Sequence, residues 1–152
     1  MSITNGAINV AQIETVANLQ DYLKVEFPTG VKSTFQFGCP LPPDYNGGTM
    51  TAQFCWFARG VSTNSVVWGV QGLCLSDGTV LDTAYGAAVE VTDANQGTDV
   101  NQISAVTAAF TLAGVPAANK SVQFQVYRLG SGADNLAISA MLRYVQIFYT
   151  RV

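Results

Sequence analysis

The chain has 152 residues and a mass of 16.1 kDa, which is the size of one compact domain. Only 11% of its residues are charged, well below the roughly 25% usual in soluble domains, and the net charge is −3. It has no basic cluster to bind a nucleic-acid backbone and no apolar run approaching the ~18 residues of a membrane span. We therefore expect a domain that binds neither nucleic acid nor membrane and whose weakly charged surface is largely covered by neighbouring subunits.

The first 18 residues are expected to form an arm ahead of a folded domain at residues 19–152. Their apolar residues make no clean helical stripe, and Asn, Thr and Val are weak helix formers. The opening "MSITNGAINV" lacks the basic start and apolar stretch of a signal peptide, which favours folding in a cytoplasm. Such an arm packs on a partner or frays, and its candidate contact residues are Ile8, Val10 and Ile13.

Residues 19–27 alternate apolar and polar side chains, the pattern of a strand with one apolar face. Residues 31–37 continue the alternation after the turn-forming Pro-Thr-Gly at 28–30. The two segments are therefore expected to form a hairpin.

Two tryptophan-bearing strands are predicted next, at residues 49–58 and 65–75. Because a tryptophan at a core-facing strand position is usually buried, we interpret Trp56 and Trp68 as core residues rather than as sugar platforms. The second of these strands is apolar on both faces, and such a strand is usually covered on both sides. The residues that point away from the tryptophans are candidate subunit or capsid contacts: Phe57, Val67 and Leu73.

Four more strands follow, separated by turns rich in Gly, Pro, Asn and Asp. They are expected at residues 88–92, 100–112, 121–129 and 138–150. Eight strands with no convincing amphipathic helix predict a single antiparallel β-sandwich, jelly-roll-like by strand count. The odd cysteine count and the lack of Cys-x-x-Cys spacing predict that Cys39, Cys55 and Cys74 are reduced.

Catalysis is not expected. The chain has no histidine, which removes Ser-His-Asp and Cys-His nucleophiles and imidazole bases. The remaining route is glycoside hydrolysis by a pair of carboxylates, and the candidate pairs are Asp77 with Asp82 and Asp93 with Asp99. These aspartates lie in predicted loops, where Asp commonly stabilises turns. Calcium is the alternative ligand for such loops, but neither loop has the Asp-x-Asp-x-Asp-Gly pattern, and no cofactor is expected.

Two loop tyrosines, Tyr45 and Tyr85, are the candidates for an exposed ligand contact. Sugar-binding proteins stack aromatic rings on pyranose faces, and an aromatic side chain in a loop is more accessible than one in a core-facing strand position. Carbohydrate binding through these loops therefore stays open as an alternative function.

Several motifs resemble a family of small β-sandwich proteins encoded among the virion genes of tailed bacteriophages, over about residues 19–150. The similarity lies in Tyr45-Asn46-Gly47-Gly48, Trp56, Val66-Val67-Trp68-Gly69, Asp77-Gly78, Tyr127-Arg128, Asp134 and Leu136-Ala137. The resemblance implies a virion component, either a capsid decoration protein or part of a fibre or spike. It specifies no chemistry.

The sequence thus leads to two expectations for function. The first is a capsid decoration or cement protein, a homotrimer that binds the major capsid protein or other virion proteins on the capsid surface after assembly in the host cytoplasm. The alternative is a tail-fibre or spike head domain that binds host-surface carbohydrate. The short N-terminal segment provides little attachment region or shaft, which favours decoration.

Overall fold

The computed structural model describes residues 8–152, which form nine strands and no helix. The predicted antiparallel β-sandwich is therefore confirmed, and no helix that could cross a membrane lies in this part of the chain. The strands are β1 (Asn9–Glu14), β2 (Asp21–Phe27), β3 (Ser33–Pro40), β4 (Tyr45–Ala58), β5 (Ser65–Leu75), β6 (Val89–Ala94), β7 (Gln102–Ile103), β8 (Ser121–Arg128) and β9 (Ala140–Arg151).

The strands form two sheets that pack face to face. The five-stranded sheet has the order β1-β2-β9-β4-β7, and the four-stranded sheet has the order β3-β8-β5-β6. Every pairing between these strands is antiparallel. Most connections cross from one sheet to the other, so the apolar faces of successive strands meet in a shared core.

The two tryptophans lie in that core, as their strand positions predicted. Trp56 on β4 and Trp68 on β5 are fully buried and come from opposite sheets, with ring centroids 6.1 Å apart in an edge contact. Phe54 stacks on Trp68 at 5.7 Å, and Phe27 meets it edge-on at 5.2 Å. The indole Nε1 of Trp56 donates to Asp93 at 2.7 Å, which joins β4 to β6 across the sandwich.

The predicted hairpin of residues 19–27 with 31–37 is wrong. β2 pairs with β1 and β9 in the five-stranded sheet, whereas β3 pairs with β8 in the four-stranded sheet. Each strand has one apolar face, and a connection that crosses between the sheets turns both faces into the core. Side-chain alternation defines which face is buried but leaves the pairing partner undetermined.

The predicted long strand at residues 100–112 is also wrong, because only Gln102–Ile103 forms a strand. Beyond Ile103 the chain runs alongside β4, and three of its residues span the same length as two residues of β4. The Ser104 and Thr107 hydroxyls accept hydrogen bonds from β4 amides at 3.1 and 3.0 Å, in place of backbone carbonyls. The backbone N–H groups at every third residue bond to β4 carbonyls: Ser104 to Phe54, Thr107 to Ala52 and Phe110 to Met50.

Part of the expected N-terminal arm belongs to the sheet. All six residues of β1 pair with β2, from Asn9 opposite Glu26 to Glu14 opposite Asp21. Residues 1–7 of the expected arm lie outside the described residues. The described part is therefore an edge strand that, with β2, forms a hairpin turning at residues 15–20.

Replacement of Thr107 by Val tests the role of the hydroxyl groups along β4. The change keeps the shape of the side chain but leaves the buried Ala52 N–H without an acceptor. We expect the free energy of unfolding in urea to fall by ~1–3 kcal/mol. Thr51→Val is the matched control, since this half-buried hydroxyl on the same strand has no hydrogen-bond partner within residues 8–152. Equal losses in the two variants would contradict the proposed role.

Candidate binding cleft on the five-stranded sheet

A cleft of about 410 Å³ opens on the outer face of the five-stranded sheet. It arises because β2 pairs with β9 only from Val25 to Phe27, whereas β1 and β2 stay paired over the full length of β1. The free half of the hairpin forms one side of the cleft, and the ends of β4 and β9 with the segment before β7 form the other.

A β-bulge in β9 places the central cationic group of the cleft. Cys55 pairs with Tyr144 and Trp56 with Leu142, so Arg143 is an extra residue without a partner on β4. A bulge of this kind redirects a side chain. The Arg143 guanidinium lies over the ring of Tyr22, 4.5 Å from its centroid, and links β9 to the hairpin.

The hydrogen bonds around this guanidinium orient its neighbours. Arg143 Nη1 donates to the side-chain oxygen of Asn101, which also accepts from the Cys55 thiol at 3.2 Å. On the hairpin side, the Tyr22 hydroxyl donates to Gln20 Oε1 at 2.9 Å. Side-chain contacts on both sides of the cleft therefore hold its polar groups in place.

A second arginine lies at the exposed edge of the cleft. Arg59 Nε donates to Asp99 Oδ1 at 3.0 Å, and both side chains are exposed. Asp99 has a positive φ of 56°, and its backbone N–H donates to the Ala58 carbonyl at 2.8 Å, which fixes the loop against the end of β4. Two arginines and one carboxylate line the cleft, so its local charge is positive in a chain of net charge −3.

The surface next to the cleft carries neutral aromatic groups. Tyr144 is half exposed on the outer face of β9, and a hydrogen bond with the Cys55 side chain raises the pKa of its phenol. The phenol therefore stays protonated at neutral pH and contributes no negative charge beside Arg143. Phe148 continues this exposed stripe along β9.

The residues predicted as subunit contacts occupy several environments. Ile13 and Phe57 line the cleft, Ile8 is buried and Val10 is half exposed. Phe57 is 7% exposed. Val67 and Leu73 on β5 are each 3% exposed. Because the chain itself already covers Phe57, Val67 and Leu73, they do not require the second cover that strand alternation led us to expect.

The structure separates the two loop tyrosines predicted as ligand contacts. Tyr45 is buried at 3% exposure, its hydroxyl donates to the Gly48 carbonyl, and burial raises the pKa of its phenol. The prediction that it is exposed is wrong, because its strand turns the ring inward against Tyr149. Tyr85 is half-buried, with a pKa also raised by burial, and does not line the cleft.

One of the two predicted carboxylate pairs is held by contacts within the chain. Asp93 was expected in a loop, which is wrong, because it lies on β6, and it accepts from Trp56. Asp99 accepts from Arg59, so each of these two carboxylates has a structural partner. Within residues 8–152 no group of three or more His, Cys, Asp or Glu side chains is placed to hold a metal ion.

The main polar residues of the cleft were not identified from the sequence. Tyr22 appeared as the polar side of an alternating strand, and Arg143 as one charged residue in the last strand. Their contact depends on the bulge in β9 and on the separation of β2 from β9. No local sequence pattern marks either feature.

No protein-family model matches the sequence, and no curated protein matches it. Among solved structures, the chain is similar to TmCBM61 in complex with β-1,4-galactotriose, with 10% identity, a TM-score of 0.38 and coverage of 84% of this chain and 71% of that one. It is also similar to a structure of carbohydrate-binding modules from the β-sandwich superfamily with promiscuous specificity, with 13% identity, a TM-score of 0.46 and 97% coverage of this chain. The match spans 55% of that second chain. Neither similarity bears on what this chain binds.

Proposed function

We propose that the protein is a non-catalytic structural component of a virion that decorates the capsid exterior and stabilises the shell. The observation that carries this proposal is the exposed apolar surface of the hairpin β1–β2. Val10 and Leu23 lie on the face opposite the cleft and are 50% and 73% exposed. Val16 and Leu19 at the turn are 91% and 65% exposed. A group of large apolar side chains at one projecting element is typical of a protein contact.

The open edge of β1 supports the same use of the hairpin. Within residues 8–152, β1 is hydrogen-bonded only to β2, and its sequence "NVAQIE" contains neither the Lys nor the Pro that often blocks an exposed edge. A neighbouring strand can therefore add to this edge through backbone hydrogen bonds, while the apolar side chains become buried. The hairpin offers a neighbour both kinds of contact.

The resemblance of several motifs to small virion β-sandwich proteins and the low charge of the chain also support the proposal. In this function each copy, within a trimer, bridges capsid subunits. Many modest interfaces together raise the barrier to opening of the shell through multivalency. No step of this mechanism requires a catalytic group.

Binding to particles tests the proposal directly. Purified protein is added to particles of the encoding phage that lack it, and its occupancy is measured by electron cryomicroscopy. We expect the double variant Val10→Ser, Leu23→Ser to fold normally, because exposed side chains contribute little to stability, but to bind at least about tenfold more weakly, since ~1.4 kcal/mol of lost apolar contact is sufficient.

Val61→Ser, Val115→Ser is the matched control, since these valines are 95% and 72% exposed and lie in loops outside the hairpin. It should bind like the unmodified protein. Absence of the protein from purified virions, or full occupancy by the hairpin variant, would contradict the proposal.

The second candidate function is a fibre or spike head domain that binds host-surface carbohydrate. The cleft favours it, because an accessible cavity with an aromatic residue, amide groups and arginines suits a small polar ligand. Val10 and Leu23 lie on the side of β1 and β2 opposite the cleft, so one chain can use both surfaces, whereas Val16 at the turn lines the cleft itself. A glycan array without binding above background would contradict this candidate.

A further inference from the structure

Hydrogen-bond donors exceed acceptors in the cleft. Arg143 uses one N–H to reach Asn101, and its other N–H groups have no acceptor within residues 8–152. The side-chain oxygens of Asn101 and Gln20 already accept from Cys55 and Tyr22, while their amide nitrogens donate to no residue in this range. A ligand that fits these groups is rich in acceptors.

The charges of the cleft indicate that the ligand is an anion. Asp99 pairs with Arg59, and no carboxylate among residues 8–152 forms an ion pair with Arg143. An arginine with two adjacent free N–H groups binds a carboxylate in bidentate fashion, which a hydroxyl group cannot reproduce. Stacking on Tyr22 and the bond to Asn101 orient the guanidinium before a ligand arrives.

The shape and the apolar lining indicate a sugar ring. Ile13 and Phe57 give the cleft an apolar surface beside its donors, which matches a pyranose with a C–H face and polar edges. The volume of about 410 Å³ lies near the lower end of the ~300–1,000 Å³ typical of small-molecule sites.

An acidic peptide is the competing occupant of the cleft. Extended peptides bind through backbone hydrogen bonds at a sheet edge, and within residues 8–152 the facing edges of β2 and β9 have no strand partner where the two strands diverge. The comparison of ligands below therefore includes a peptide.

We propose that the cleft binds a sugar that bears a carboxylate, as in a uronic acid unit of an acidic polysaccharide. Arg143 binds the carboxylate, the Asn101 and Gln20 amides donate to ring hydroxyls, and Ile13 and Phe57 contact the C–H face. This inference rests on the second candidate function, carbohydrate binding, and specifies its substrate class.

Matched sugar pairs test the inference on the full chain. Glucuronic acid is compared with glucose, and oligogalacturonate with oligogalactose, by titration at low salt followed by NMR chemical shifts of the protein. We expect the acidic member of each pair to bind about tenfold more tightly or better, because hydrogen bonds to a charged group are the stronger kind. Its affinity should fall as salt is added.

Arg143→Gln should reduce the preference for the acid to about equality. Arg151→Gln is the matched control, because it removes the same charge from an exposed arginine that pairs with Asp44 and lies outside the cleft. It should keep the preference. Thermal melting shows whether both variants fold. If Arg143→Gln does not fold, the preference of the unmodified protein for acidic over neutral sugars still tests the inference.

The other outcomes distinguish failure of the acidic specificity from failure of carbohydrate binding. Equal binding of acidic and neutral sugars would overturn the acidic specificity and leave carbohydrate binding in place. Binding of an acetylated aspartyl peptide but of no sugar would overturn the sugar class. Binding of neither, on the full set of probes, would overturn both the inference and the carbohydrate-binding function.

Discussion

A buried ion pair holds the two sheets together at the place where the cleft begins. Arg128 on β8 and Asp134 in the following loop have fully buried side chains. The guanidinium donates to both carboxylate oxygens and to the backbone carbonyls of Phe27, Leu136 and Ile138. Asp134 also accepts from the Gly130 N–H at 3.0 Å. A buried charge pair is tolerated when all its groups are satisfied in this way, and removal of one partner is costly.

These bonds connect the four-stranded sheet to the start of the binding cleft. Phe27 is the last residue of β2, and Ile138 lies just before β9, so Arg128 fixes the chain where these two strands meet. β2 leaves β9 shortly before this point and carries Tyr22, while the bulge in β9 carries Arg143. We infer that the ion pair in the core sets the separation of the two sides of the cleft.

The sequence predicted what depends on local alternation and missed what depends on distant pairing. The inward positions of Trp56 and Trp68 follow from period two and are correct. The predicted pairing of residues 19–27 with 31–37 is not correct, because the alternation of apolar and polar side chains is the same in a hairpin as in two strands whose connection crosses between the sheets. The Arg143–Tyr22 contact needs a bulge and a divergence of strands, and neither leaves a local pattern. The positions of Ser104 and Thr107, three residues apart, are the one signal that argued against a regular strand at 100–112.

Native-state amide hydrogen exchange on Asp134→Asn tests the role of the ion pair most directly. We predict that the amides where β2 meets β9 exchange about a hundredfold faster or more, since removal of one partner of a buried pair costs ~3–5 kcal/mol. Asp99→Asn, which removes an exposed carboxylate paired with Arg59, should leave these rates nearly unchanged. Protection of the β2–β9 amides equal to that of the unmodified protein would contradict the account.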